Sequence, residues 1–534
     1  MTVQRISTAE LRDLRASAPA SALIDVREVE EAFRGHIPTS SSIPLRLLPF
    51  RIAGALPALD FPVIVYDAGD ADTRADAAAA MLEDYGVERV LVLDGGLVRW
   101  EAAGGTVESG QNVPSKRFGE ALTVDDDFHI QPETLEAWLS EGKDVQIIDV
   151  RTSAEHSREC IPGSTHAPGF SAAAAVSKDR PVIVHCSGRT RSIIGAKTLR
   201  LLGFDDVWAL ENGTMGWLLA GKEVERGTVR PALSEGFGGD AEIAERARQL
   251  ASRVGVQALS PQAARERMLA GDGRPRYLLD VRELSELAGR TVEGARQAPS
   301  GQIIQATDDH VPVRGAGVIL IDDGGARAWL SAHWLVLLGW DEVAVVEGGI
   351  GAWLRAGLPS AEHDADPDPH GLAPARTAVA EVGVDEAVAL LGSGSAQVCS
   401  VDVSVAYQRG HLPGAGWLAL SDVLADNPLP TLAAAATSGP VLVTCEDGRS
   451  STLAAARLRG RGFVDVRVLA GGLAAWRAAG QPVESGRGDL PAQVEDVHPH
   501  PSTIGEDAMR GYLTWEVDLD HSEDVARIKA KLGG

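Results

Sequence analysis

The sequence predicts an α/β fold written four times, each repeat a parallel sheet with helices on both faces. Three observations predict it. A block reading apolar-Asp-Val recurs as Leu23-Ile24-Asp25-Val26-Arg27, Ile147-Ile148-Asp149-Val150-Arg151, Leu278-Leu279-Asp280-Val281-Arg282 and, aligned on its own Asp-Val, Ser400-Val401-Asp402-Val403-Ser404. A later β-prone run ends in turn at Asp67, Cys186, Asp322 and Cys445, and a helical stretch then closes at Gly86, Gly203, Gly339 and Gly462. That spacing is 19 residues in the first repeat and 17 in the others; from the glycine to Trp100, Trp217, Trp353 and Trp476 it is 14 every time. Agreement at this level marks a tandem array of homologous units.

Each repeat opens on a helix signal, Ser7-Thr8-Ala9-Glu10-Leu11 in the first and Ser260-Pro261-Gln262-Ala263 in the third, before short β-prone runs alternate with helical stretches. The domains are placed at 1–110, 125–228, 255–360 and 378–485, with a tail at 486–534. A chain of 534 residues has room for three to five domains. Linkers are expected over 107–127, 227–240 and 364–374, the last stiffened by Asp366-Pro367-Asp368-Pro369. Residues 241–254 read as an extra helix. In the tail, 512–519 reads as a strand, and Ser522-Glu523-Asp524 caps a terminal helix carrying Lys529 and Lys531. The tail is expected to dock across the array, and neighbouring repeats to bury surface in pairs.

A hydrophobic content of 44% with 23% charged residues is ordinary for globular domains. The net charge of −25 argues against nucleic acid or an anionic membrane as partner, so an anionic substrate must be drawn by a local basic pocket. The four cysteines, Cys160, Cys186, Cys399 and Cys445, form no C-x-x-C pair and suit free thiols in a reducing cytoplasm. No signal peptide and no 18-residue apolar stretch is read, so a soluble cytoplasmic protein is expected.

The most informative segment is Val182-Ile183-Val184-His185-Cys186-Ser187-Gly188-Arg189-Thr190-Arg191-Ser192. A strand delivers a cysteine to a loop that opens a helix, where backbone N–H groups and the positive helix end converge. These donors and two guanidiniums favour the thiolate, the reactive form of cysteine, and attract small anions. His185 precedes the cysteine on the strand, so its side chain points to the opposite face and is not assigned as a base.

With these motifs assembled, the chain resembles the rhodanese (thiosulfate sulfurtransferase) family in a four-domain tandem form. The resemblance rests on Asp-Val-Arg, Gly35-His36-Ile37-Pro38, Gly410-His411-Leu412-Pro413-Gly414-Ala415, the cysteine loop and the late Gly-Gly-x-x-x-Trp element. It implies that a thiolate takes the sulfane sulfur of thiosulfate, releases sulfite, and passes the sulfur to cyanide or a thiol, with no metal or organic cofactor. Cys186 is then the nucleophile. Ser187, Gly188, Arg189, Thr190 and Arg191 form its cradle, the glycine supplying an unusual backbone conformation and the arginines pairing with thiosulfate.

The four loops differ. Cys445-Glu446-Asp447-Gly448-Arg449-Ser450-Ser451 is a second candidate, with Gly448, Arg449 and Ser450 as substrate-binding positions, but Glu446 and Asp447 should raise its thiol pKa and repel a dianion. Ser404 stands there in the place given to arginine elsewhere. Asp67 and Asp322 cannot carry a persulfide and are expected to satisfy their helix N-termini internally, in repeats of structural or regulatory role. Cys160 and Cys399 read as buried thiols, with a relay role for Cys160 as the alternative. His36 and His411 read as hydrogen-bonded structural residues, the four tryptophans as core anchors, and His498-Pro499-His500 as weak evidence for a metal. Two other functions compete: a scaffold or relay fed with persulfide by a protein partner, and a cysteine-loop phosphatase or arsenate reductase. The latter uses five residues between cysteine and arginine, where Cys186 and Arg191 have four.

Overall fold

A computed structural model describes residues 3–124, 126, 128–228, 241–429, 432 and 439–532. Its four main sheets share one strand order and pair in parallel. In the second repeat the order is His129–Ile130, Val207–Leu210, Val182–His185, Gln146–Asp149, Thr165–His166. The first repeats it with Gln4–Ile6, Arg89–Leu93, Pro62–Tyr66, Ser21–Asp25 and Ser41–Ser42. The third uses Gln257–Leu259, Val343–Val346, Gly317–Ile321, Arg276–Asp280 and Ala295–Gln297. The fourth uses Ala380–Val382, Val466–Leu469, Val441–Thr444, Gln397–Ser400 and Gly416–Trp417. Both faces are covered, so the strands read as continuous apolar runs. In the fourth sheet Val441 and Val443 pack with Cys399 and Leu458, while the alternate Leu442 packs with Val398 and Trp476.

One device recurs in all four repeats and a second in three. The indole N–H of Trp100, Trp217, Trp353 and Trp476 donates to the carbonyl of Thr106, Glu223, Pro359 and Pro482 at 2.8–2.9 Å, so the tryptophans are core anchors. Arg27, Arg151 and Arg282 form forked ion pairs with Asp25, Asp149 and Asp280, and reach on to the carbonyls of Gly35, Glu159 and Arg290. The fourth repeat departs from the expected alignment. Ser400 pairs with Thr444 as Asp149 pairs with His185, and the Val401 N–H meets the Thr444 carbonyl as Val150 meets His185. Ser400 therefore stands where the aspartates stand, and Asp402, rather than Ser404, stands where the arginines stand. Sheet register fixes this; the Asp-Val pair is an accidental match two residues on.

Three further expectations change. Residues 107–127 are no plain linker: Val113–Ala121 is a helix with proline in its first turn and Phe118 and Glu120 buried. Asp125 and Asp127 lie outside the described residues, as do 229–240 of the second expected linker. The third expected linker ends inside the helix Leu372–Ala378. Residues 512–519 are no strand, since Glu506–Val517 is a helix burying Met509, Leu513 and Glu516 at i, i+4 and i+7. Local β-preference there loses to helical burial. The helices Ala241–Arg253 and Ser522–Leu532 form as read.

The chain makes two compact units: 1–111 with 366–498, and 112–365 with 499–534. The first repeat thus associates with the fourth, rather than with its neighbour in sequence. In that unit Arg46 bridges Glu28 at 2.9 Å and the Asp496 carbonyl at 2.7 Å, and its backbone N–H donates to Ser421 Oγ. In the other unit Trp334 of the third repeat donates to Thr198 Oγ1 of the second at 2.9 Å, edge-on to Phe118. Among the described residues no helix is long and apolar enough to cross a membrane.

Candidate active site

The strand Val182–His185 hands Cys186 to a loop closed by the helix Thr190–Leu201. The thiol is buried, 2% exposed, with its Sγ 3.5 Å from Ser192 Oγ, which donates to the Arg189 carbonyl. The Cys186 carbonyl accepts from both N and Oγ1 of Thr214 at 2.8 and 3.0 Å. This close approach explains the late glycine of each repeat: a Cβ on Gly213 would lie 2.4 Å from the Cys186 oxygen. Gly96, Gly349 and Gly472 meet the carbonyls of Asp67, Asp322 and Cys445 in the same way. Gly188 differs from expectation. It has no positive φ; a Cβ there would instead come within 3.2 Å of Glu516 Oε2 and of the Met215 methyl.

The arginines also differ from expectation, because neither is held ready for an incoming anion. Arg189 forks onto Glu120 at 2.7 and 2.9 Å and also binds Glu211. Arg191 forks onto Glu155 at 2.8 and 2.6 Å. Burial works against both charges, but the carboxylates outweigh it and raise both guanidinium pKa values. A buried cation without such a partner would be costly. The Glu155 pairing had a readable signal: Glu31, Glu155 and Glu286 each follow their Asp by six residues, and each binds the loop arginine, Arg74, Arg191 or Arg327.

Three contributors to the Cys186 site lie outside the repeat pattern. Lys116, on the helix Val113–Ala121, is buried 3.4 Å from Glu516 and stacks over Tyr512. Burial disfavours its charge, yet Glu516, Tyr512 and the Cys186 sulfur together raise its pKa. Glu516 accepts from Thr190 N at 3.3 Å and Thr190 Oγ1 at 2.5 Å. Ser187 Oγ lies 2.9 Å from His500 Nε2, whose ring burial pulls down to about 4. No spacing pattern announced these, since their partners lie hundreds of residues away in sequence.

Cys445 sits in the corresponding place of the fourth repeat, accepting from the Ser451 N–H at 3.3 Å with Ser451 Oγ at 3.4 Å. Its surroundings are acidic: Sγ is 3.6 Å from Asp447, and Asp402 accepts the Glu446 N–H. Burial first, then Asp402 and Asp447, push the thiol up to about 11 against the Ser451 bonds. Gly448 adopts φ +89°. Arg449 is turned onto Asp447 and Asp366, and Ser450 stands where the second repeat has Arg191. The remaining two loops are filled by their own carboxylates. Asp67 accepts from Gly69 N and Ala75 N at 3.0 Å each, and Asp322 from Gly324 N and Ala328 N at 2.7 and 3.0 Å. The two-residue longer first loop reaches the same helix donor two positions later.

Other candidates take structural places. Cys160 is buried at an isolated bridge to Glu225, where the first and fourth repeats use His36 and His411. Those histidines bond the carbonyls of Ala32 and Tyr407. Cys399 lies within its core strand, with its thiol pushed up to about 12 by burial. The His185 ring sits beside Thr214 and Asp149. His498 Nδ1 lies 2.7 Å from Glu30 and its ring stacks on Phe33.

Comparison with known proteins matches this geometry. The family model described as Rhodanese-like domain matches residues 7–103, 131–220, 260–356 and 383–479. A solved thiosulfate sulfurtransferase from Pseudomonas aeruginosa is 32% identical with a TM-score of 0.87, covering 99% of each chain. Thiosulfate sulfurtransferase GlpE of Pseudomonas putida (strain F1) is 36% identical over 108 residues, 20% of this chain and 90% of that protein. The SseB protein of Mycobacterium tuberculosis is 34% identical over 116 residues, 21% of this chain, which spans 39% of the SseB length. The chain therefore belongs to the family of rhodanese-like domain proteins, with four such domains in tandem.

Proposed function

We propose that the protein is a sulfurtransferase that carries sulfane sulfur on Cys186, taking it from thiosulfate or a similar small anionic donor. The carrying observation is the contrast among the four loop heads. Asp67 and Asp322 are carboxylates bonded to their own helix N–H donors, and Cys445 Sγ lies 3.6 Å from Asp447, whereas Cys186 Sγ lies 3.5 Å from the Ser192 hydroxyl in a loop whose Thr190 is joined through Glu516 to the buried cation Lys116.

In the first half-reaction the Cys186 thiolate attacks the outer sulfur of thiosulfate. A sulfur–sulfur bond forms, the donor's own sulfur–sulfur bond breaks, and sulfite leaves with the electron pair. In the second, cyanide or an acceptor thiolate attacks the outer sulfur of the persulfide, and the Cys186 thiolate is restored as leaving group. Splitting the transfer in this way predicts ping-pong kinetics. The thiol acceptor is a small molecule or a protein. All four cysteines are unbridged and buried, which fits work in a reducing cytoplasm. Arg191 stays engaged by Glu155, which favours sulfur transfer over a phosphatase-type reaction needing a guanidinium for a tetrahedral oxyanion.

Thiocyanate formation from thiosulfate and cyanide, read with intact mass after thiosulfate alone, tests this in the wild type, Cys186→Ser and Cys445→Ser. An adduct of one sulfur atom and thiocyanate production, both abolished in Cys186→Ser and retained in Cys445→Ser, are expected. Full activity in Cys186→Ser would move the chemistry to the fourth repeat. A wild type with neither adduct nor thiocyanate would leave a persulfide relay fed by a protein donor as the reading.

A further inference from the structure

The tail helix Glu506–Val517 belongs to none of the four repeats, yet it closes the Cys186 loop. Met509 and Leu513 pack on Met215, and Tyr512 stands beside Gly188. Glu516 is fully buried, with one carboxylate oxygen binding the Thr190 N–H and hydroxyl and lying 3.4 Å from Lys116 Nζ. Its other oxygen, Oε2, is buried without a hydrogen-bond partner and faces Gly188. A carboxylate oxygen left in that state is unfavourable, and a loop-to-helix junction is where anions bind. Asp67 and Asp322 fill that place from within their own loops; Glu516 reaches the Cys186 loop from outside the repeat.

We propose that Glu516 and Lys116 select the sulfur donor of the Cys186 site. Glu516 is a resident carboxylate that an anionic donor displaces from Thr190, and Lys116 is the cation that receives the donor's charge. The exchange swaps one anion for another beside the same ammonium group. A neutral donor has no charge to offer Lys116 and is disfavoured. The site therefore takes small sulfane-sulfur anions in preference to neutral polysulfides. This rests on the assignment of Cys186 as the sulfur carrier.

Alkylation of Cys186 tests the selection without sulfur transfer. The full chain carrying Cys445→Ser is compared with the same chain bearing Glu516→Gln or Lys116→Gln, using anionic iodoacetate and neutral iodoacetamide. Taking the ratio of the two rates cancels changes in thiolate fraction. The ratio is expected to rise roughly tenfold in Glu516→Gln and to fall by a similar factor in Lys116→Gln, the scale of one charge removed a few ångströms away. The KM for thiosulfate should fall in Glu516→Gln and rise in Lys116→Gln, with kcat moving less. An unchanged ratio in Glu516→Gln overturns the proposal, as does a failure of both reagents to reach Cys186 in every variant. Should Glu516→Gln lose the cooperative melt of the parent, Lys116→Gln decides alone: a fall supports the selection and no change overturns it. A shifted ratio without any thiocyanate formation would retain the selection and remove thiosulfate as donor. Thiocyanate formation with an unshifted ratio would remove the selection alone.

Discussion

Six residues after each loop cysteine a serine hydroxyl, Ser192 or Ser451, lies 3.5 or 3.4 Å from the sulfur, yet the two thiols are not equivalent. Asp447 lies 3.6 Å from the Cys445 sulfur, and burial, Asp402 and Asp447 push that thiol up to about 11. Below its pKa the thiolate fraction falls about tenfold per pH unit, so near neutrality Cys445 is almost entirely thiol. In a Cys186→Ser background, alkylation of Cys445 by iodoacetamide should therefore climb about tenfold for each unit between roughly pH 8 and 10. A plateau beginning below that range would contradict the acidic-cradle account. Asp402→Asn removes a carboxylate that opposes thiolate formation, so the thiol pKa must drop and the whole profile move to lower pH. The same comparison explains why register mattered: Asp402 occupies the position that carries an ion-paired arginine in the other repeats, and there it accepts the Glu446 N–H next to Cys445 in the chain and opposes ionisation of the thiol.

Where strand gives way to helix, each repeat solves one problem, a helix N-terminus buried at the head of a loop. The third repeat solves it with Asp322, which accepts the buried N–H of Ala328 at 3.0 Å and that of Gly324 at 2.7 Å. Asp322→Ala leaves the Ala328 donor without its acceptor, at a cost of about 1–3 kcal/mol. The denaturation midpoint should drop accordingly, with thiocyanate formation unaffected in the folded protein; an unchanged midpoint would mean the carboxylate does not cap the helix. Elements of this kind were legible because they recur: the strands, the loop heads, the closing glycines and the tryptophans obey fixed spacings that burial on both sheet faces enforces. The helices Val113–Ala121 and Glu506–Val517 were not, since no fixed spacing in the sequence marks either and their buried faces are set by helices distant in sequence. Likewise Arg189 was visible as a loop arginine while its partner Glu120, 69 residues away, was not. The cysteines and arginines of the candidate loops were thus readable from sequence, but the carboxylates that pair with Arg189 and Arg191, Glu120, Glu211 and Glu155, were not read, although the six-residue spacing of Glu155 was there to find.

Across the whole molecule the chain visits its two units alternately, so the second repeat shares a body with the third and with residues 499–534 of the tail. That arrangement lets residues from 499–534 complete a site whose loop lies more than 300 positions earlier, as the Thr190–Glu516 separation of 326 shows. It also sets the electrostatics. The chain carries a net charge of −25, and two cations around the Cys186 loop are each matched by a carboxylate, Lys116 by Glu516 and Arg191 by Glu155. On the proposed reading, an anionic donor such as thiosulfate approaches against a long-range repulsive field and meets attraction only on contact. Added salt shortens the reach of that field, to about 10 Å at 0.1 M, while barely touching the buried pairs. With thiosulfate as donor, kcat/KM should rise as ionic strength goes from about 0.01 to 0.15 M, with kcat nearly flat. Alkylation by neutral iodoacetamide should stay level over the same range. A fall of kcat/KM with salt would mean that the mouth of the Cys186 site steers anions through an uncompensated positive field, and the paired-cation description would then be wrong.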